Sequence, residues 1–186
     1  YRNGENPARL KGALGELLPK SNKISKVIHH PSIPYQQIYQ FVQALRQKGG
    51  TGAFALEFIL LTATRTSETI AANWDEFDLD TNVWSIPADR MKTGREHRVP
   101  ICDRAIEILE IMRRVKRNSW VFPAPSTKSV NHISLGTCLV LMKRMPDYAA
   151  YTPHGLRASF RDWGAETTNF SNETLEMALA HTIKNK

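Results

Sequence analysis

Four short stretches of this sequence carry side chains that could work on one anionic group. In His154-Gly155-Leu156-Arg157 the imidazole and the guanidinium are three residues apart, so on a helix they share a face and can point at one ligand. Pro153 fixes the chain into that helix, and a helix N-terminus already attracts anions. In Thr64-Arg65-Thr66-Ser67-Glu68 an arginine follows an almost wholly apolar segment, and Glu68 is placed to hold the guanidinium. Arg90-Met91-Lys92-Thr93-Gly94 puts a lysine on a turn between strands, from which it can reach into a groove. Leu179-Ala180-His181 puts an imidazole on an apolar helix. Each stretch also has a plainer structural reading. These are, in order, a surface His/Arg pair, a helix-capping arginine paired with Glu68, a solvated hairpin lysine and a satisfied core histidine.

The elements that must position these groups are legible from periodicity. Pro34 opens a helix to about Lys48, with Ile38, Phe41, Val42 and Leu45 on one side, and Gly49-Gly50 ends it. Residues 53–64 are apolar almost all round, the pattern of a buried helix, and a short helix continues through Ile70. Trp74, Phe77, Val83, Trp84 and Ile86 are strand formers broken by the turn Asp80-Thr81-Asn82, and His97 to Ile101 is a third strand. Asp103 is expected to cap the next helix, lined by Ile106, Leu109, Met112 and Val115. Further helices are expected over 131–145, from Pro153-His154, and after Ser171, the last one carrying His181. The fold class expected is mainly α with a small three-stranded antiparallel β-sheet.

Lys plus Arg number 25 against 18 Asp plus Glu, a net charge of +7 that favours an anionic partner, nucleic acid being the commonest. Residues 1–33 hold +4 of it, with few large apolar residues and several Gly and Pro, and read as a basic linker or the end of a preceding domain. The catalytic unit is then expected over 34–186. Cys102 and Cys138 lie far apart and read as small core residues in a reducing cytoplasm, neither a disulfide nor a zinc site. No apolar run approaches the roughly 20 residues needed to span a membrane.

The order of the four stretches is more specific than any one of them. An arginine after an apolar helix, a lysine on a hairpin, His-x-x-Arg and Leu-Ala-His resemble the tyrosine recombinases, or phage-type integrases. The matching segments are residues 63–68, 91–94 with Val99-Pro100, 152–157 and 178–181. His29-His30-Pro31-Ser32-Ile33-Pro34-Tyr35 further resembles the interdomain join of integrases from satellite prophages and genomic islands. The resemblance implies site-specific DNA recombination through a covalent 3′-phosphotyrosine, with catalytic Arg65, Lys92, His154, Arg157 and His181 and supporting Glu68. The arginines would offset phosphate charge, Lys92 would protonate the leaving 5′ oxygen, His154 would assist proton transfer at the nucleophile, and His181 would hydrogen-bond the phosphate. No metal or other cofactor is then required. Arg90, Thr93, Arg95, Lys143 and Arg144 are candidate DNA contacts. The implied partners are double-stranded attachment-site DNA, sister protomers in a tetramer and DNA-bending accessory proteins, at the bacterial nucleoid.

One departure from the pattern concerns the nucleophile. The family's tyrosine follows the Leu-Ala-His block by on the order of 11 residues, about three helical turns. The sequence runs to Lys186, and its tyrosines, at 1, 35, 39, 148 and 151, all precede His181. The nucleophile is therefore expected outside these 186 residues, and the chain by itself is expected to form no covalent adduct in cis. Two rivals share the fold: a DNA-binding module without chemistry, and a type IB topoisomerase.

Overall fold

The computed structural model describes residues 30–126 and 131–181. Most of the basic flank, residues 1–29, lies outside the described residues.

The organising element is a buried helix whose side chains are apolar on every side. After a 3-10 turn at Tyr35–Gln37, helix α1 (Ile38–Arg46) buries Phe41 and Leu45. Gly49 and Gly50 take positive φ values of 63° and 79°, which only glycine adopts without strain, and reverse the chain into α2 (Gly50–Thr62). α2 packs on α1 and on the helices α3 (Thr66–Ile70), α4 (Asp103–Arg114), α5 (Leu135–Lys143) and α6 (Gly155–Thr167). A helix surrounded in this way needs an apolar circumference. Its one buried acid, Glu57, accepts from Arg46 Nη2 at 2.6 Å and Arg104 Nε at 2.9 Å. Burial pushes the Glu57 carboxyl up, and the bonds from the two arginines outweigh it, holding it below the usual carboxylate range.

Between α3 and α4 lies a sheet of three antiparallel strands, β1 (Phe77–Asp78), β2 (Val83–Ile86) and β3 (His97–Pro100), in that order. Trp84 pairs with Phe77 on one side and Val99 on the other, and its fully buried ring meets Phe58 of α2 edge-on at 5.6 Å. The sheet is thereby fixed to the helical body next to α3. The last helix, α7 (Asn172–Ala178), packs on α6, and Ser171 caps it by accepting from the Thr174 N–H at 3.2 Å. No helix among the described residues is long and apolar enough to cross a membrane.

The mainly α architecture with one three-stranded sheet is as expected, but several local expectations are corrected. Cys102, not Asp103, is the N-cap of α4; Asp103 sits in the first turn, where its charge suits the helix dipole. Cys102 is exposed, while Cys138 is buried as expected, and burial pushes its thiol up to about 12. Helix α5 is shorter than the 131–145 expected, because residues 131–133 are extended and Pro123 bridges His132. His181 lies past the end of α7, since Ala180 adopts a left-handed φ of 49°. Ile33 falls in the flank expected to be a linker. Ile33 is fully buried in the core, and its carbonyl accepts from Ser159 Oγ at 2.5 Å.

Candidate active site

The corner between α2 and α3 sets the first arginine. α2 stops at Thr62, and Ala63 turns the chain with a φ of 51°. A buried chain of hydroxyls locks this corner: Thr62 to Thr64 at 2.8 Å and Thr64 to Thr69 at 2.7 Å. Arg65 is then the N-cap of α3, not the terminus of the apolar helix. Glu68, 3% exposed, grips it twice. One carboxylate oxygen accepts from the Arg65 backbone N–H at 2.8 Å, the other from Nη1 at 2.7 Å. The first bond satisfies an otherwise orphaned helix-start donor, and the second fixes the guanidinium. Arg65 Nη2 reaches the Ala180 carbonyl at 3.4 Å.

Arg157 enters the same corner from α6. It is 4% exposed. Nη1 donates to the Ala63 carbonyl and Nη2 donates to the Leu179 carbonyl at 2.6 Å. One guanidinium therefore ties the left-handed residue of the α2–α3 corner to the end of α7. Nε is buried without a partner among the described residues. Burial and the neighbouring Arg65 charge push the Arg157 guanidinium down to about 10, against partial compensation from Glu68 and Glu176. Arg157 makes no ion pair with a carboxylate among the described residues.

The two histidines complete the cluster. His181 Nε2 lies 3.2 Å from Arg157 Nη2, and His181 Nδ1 lies 2.6 Å from Glu176 Oε2. The other Glu176 oxygen accepts from Arg161 Nε at 2.6 Å, and these two bonds hold the Glu176 carboxyl below its usual range. His154 is the N-cap of α6, with its ring edge-on to His30 at 4.9 Å between centroids. Desolvation, then the nearby His30, Arg157, Arg65 and His181, push the His154 imidazole below the usual histidine range. Gly155 makes this arrangement possible. A Cβ there would stand 2.1 Å from the Pro31 carbonyl oxygen, so only glycine lets the 30–33 segment lie across the start of α6.

Of the sequence candidates, Arg65 is bonded to Glu68 and Arg157 to His181, the two pairs meet at the adjacent Leu179 and Ala180 carbonyls, and His154 stands beside them. Lys92 is placed apart. It is exposed on the 91–95 turn, and its side chain makes no hydrogen bond or ion pair among the described residues. Thr93 and Arg95 are exposed on the same turn, and Arg144 is exposed at the end of α5. Lys143 donates to the Ala149 carbonyl at 2.6 Å. Arg90 is already engaged, by Glu76 and by the Glu68 carbonyl.

Several residues of the site carry no obvious signal in the sequence. Glu176 meets His181 only because the chain turns at Ala180. His30 reaches His154 through the Pro31–Gly155 contact. His97, half-buried on β3, feels burial first, which lowers it, then the Glu68 charge, the Ala178 carbonyl, and the Arg157 and Arg65 charges. Its spacing of two from buried Val99 is the one signal that it faces inward.

A mostly helical body with this small sheet, and a cluster of two guanidiniums and two imidazoles at its α2–α3 corner, is the fold of tyrosine recombinase catalytic domains. The solved XerA recombinase matches with a TM-score of 0.65 at 17% identity, over 84% of this chain and 58% of that one. A lambda integrase tetramer bound to a Holliday junction matches at 0.62 and 14%, over 86% and 49%. The chain belongs to the phage integrase family, which it matches over residues 32–185. It is 34% identical to prophage integrase IntA of Escherichia coli (strain K12) over 159 residues, 84% of this chain and 38% of that protein. It is 29% identical to the integrase of Enterobacteria phage P4, over 87% of this chain and 40% of that protein. The chain thus spans about two fifths of the length of these relatives.

Proposed function

We propose that this chain is the catalytic portion of a site-specific DNA recombinase of the integrase type. The observation that carries the reading is the convergence of Arg65, Arg157 and His181 at one corner: Arg65 and Arg157 donate to the successive carbonyls of Ala180 and Leu179, Arg157 also faces His181, and Arg157 pairs with no carboxylate among the described residues. A phosphodiester supplies the missing charge, and it gains more on its non-bridging oxygens as a nucleophile attacks. Donors fixed in place before the reaction favour that transition state over the ground state.

In the proposed reaction a tyrosine oxygen bonds to phosphorus and the P–O5′ bond breaks. The leaving O5′ takes its electron pair and a proton from Lys92 Nζ, and the phenol proton passes to His154. The product is a 3′-phosphotyrosine and a free 5′-hydroxyl. Attack by a 5′-hydroxyl of another strand reverses every step and returns both protons. His154 suits the acceptor role because its environment favours the neutral imidazole. Arg65 and Arg157 hold the non-bridging oxygens, His181 adds a hydrogen bond, and Glu68 fixes Arg65. The phosphodiester energy is kept in the covalent intermediate, so no nucleotide cofactor is consumed.

The five tyrosines of the sequence all precede His181, where the family pattern places no nucleophile. Tyr148 is buried edge-on to Phe41 at 5.0 Å, Tyr35 faces Glu166, and Tyr39 is exposed on α1. The 186 residues alone are therefore proposed to form no covalent adduct in cis. The substrate is double-stranded attachment-site DNA. The working assembly is a tetramer, as in the lambda integrase tetramer bound to a Holliday junction, aided by DNA-bending accessory proteins at the nucleoid.

The test is strand exchange between two labelled duplexes carrying the attachment site, by the full-length protein. Recombinant strands and a tyrosine-linked adduct support the reading. Relaxation of supercoils without exchange would make it a topoisomerase, and binding without an adduct would make it a DNA-binding module.

A further inference from the structure

The turn that carries Lys92 is anchored at its first residues. Met91 is 5% exposed and packs into the core, and the Met91 carbonyl accepts from the Gly94 N–H at 3.0 Å, closing the turn, with Gly94 at a φ of 63°. Just before it, the Arg90 guanidinium points back into the body. Nη1 pairs with the Glu76 carboxylate, and Nη2 donates to the Glu68 carbonyl at 2.5 Å. Glu76 is itself held, by Trp84 Nε1 at 2.9 Å. Glu68 thus grips Arg65 with its side chain and Arg90 with its backbone. No other side-chain hydrogen bond connects the 88–95 segment to the α2–α3 corner among the described residues.

We propose that Arg90 is a positioning residue for Lys92: it ties the base of the lysine turn to the helix that presents Arg65 and Glu68. The inference rests on the recombinase reading above, in which Lys92 protonates the leaving oxygen. An exposed lysine on a ten-residue connection between β2 and β3 has no fixed place unless the base of its turn does. Arg90 supplies it by a charged bond to Glu76 and a charge-assisted bond to a backbone carbonyl, two directions that a planar fork satisfies together. The residue looks like a DNA contact by charge and position, but both ends of its fork are already committed inward.

The test uses the chemistry of the leaving group. When sulfur replaces the bridging 5′ oxygen, the P–S bond breaks and sulfur departs as a thiolate with its electron pair. A thiol ionises near pKa ~8.5 and bulk water near ~15.7, so the thiolate needs no proton from an acid. Cleavage of an attachment-site duplex by full-length protein is measured with oxygen or sulfur at that position, for wild type, Lys92→Ala, Arg90→Ala, Arg90→Lys and Glu76→Gln. Arg90→Ala is expected to lose on the order of 100-fold on oxygen, the cost of displacing a catalytic group by about an ångström, and to recover on sulfur in parallel with Lys92→Ala. Arg90→Lys, lacking the fork, should show a smaller loss of the same kind. Should Arg90→Ala not fold, judged by its thermal melt, Glu76→Gln decides by the same ratio. Equal losses on both substrates, or no loss, overturn the positioning role. A wild type that cleaves neither substrate, or a Lys92→Ala defect that sulfur fails to rescue, instead overturns the recombinase chemistry assigned to Lys92.

Discussion

Arg157 Nη2 stands 3.2 Å from His181 Nε2, and because a guanidinium can only donate, that ring nitrogen accepts. The proton of a neutral His181 is then on Nδ1, where it donates to Glu176 Oε2 at 2.6 Å. Arg161 closes the network from the same face of α6. A carboxylate thus orients the histidine so that its far nitrogen faces Arg157. Donation from Nε2 to a phosphate oxygen requires a second proton on the ring, and Glu176 is placed to stabilise the imidazolium that results.

Glu176→Gln should leave that tautomer in place, because Arg157 still donates to Nε2. In nitrogen-15 spectra of wild type and variant, the ring proton of neutral His181 is expected on Nδ1, donated to the carboxylate or to the amide oxygen that replaces it. A ring proton that moves to Nε2 in the variant would show that Glu176, and not Arg157, sets the tautomer. The same variant should shift the pH dependence of cleavage more than it shifts the thermal melt, since Glu176 is only partly buried.

His154 should titrate below the ordinary histidine value of about 6.5. Burial is the first cause, and the charges of His30, Arg157, Arg65 and His181 add to it. Arg157→Lys keeps the charge and should leave the midpoint low, whereas His30→Ala should raise it. The folded protein binds fewer protons at His154 than the unfolded chain, so this residue's contribution is full above the unfolded value and is lost as pH falls through it toward the folded one. A midpoint at or above 6.5 by proton NMR would contradict this.

Much of this site is legible in the sequence because its parts are local. Arg65 and Glu68 are three apart, as are His154 and Arg157, and helical geometry alone brings each pair to one face. The buried α2 is legible because its apolar residues run round the whole circumference. What escapes is set by chain reversals and distant partners. His181 reads as helical until Ala180 takes a left-handed turn, and only that turn puts the imidazole back against Glu176 and Arg157. Arg90 looks free because its partners Glu68 and Glu76 lie 22 and 14 residues away. Ile33 looks like linker because one isoleucine among prolines has no periodicity, yet the start of α6 covers it.

Gly155→Ala tests that cover. A Cβ 2.1 Å from the Pro31 carbonyl oxygen cannot be accommodated unless residues 30–33 move. Overpacking of this kind costs about 1–3 kcal/mol, which would appear as a lower melting temperature. The His30–His154 contact should weaken with it, moving the His154 midpoint upward. A melt and a midpoint identical to wild type would mean that the 30–33 segment does not rest on α6 in solution.

The central claim is that Arg65 and Arg157 act on a phosphate during bond breaking and do more than hold DNA. The most direct measurement compares cleavage with affinity for one attachment-site duplex, in full-length wild type, Arg65→Ala and Arg157→Lys. Arg157→Lys retains the buried charge, and so avoids leaving the Ala63 and Leu179 carbonyls without any donor. Cleavage is expected to fall by roughly 100-fold or more, the scale of losing one transition-state donor, while affinity drops only by about one phosphate contact. Equal losses in cleavage and binding would contradict it, and would leave the cluster as a DNA-binding surface alone.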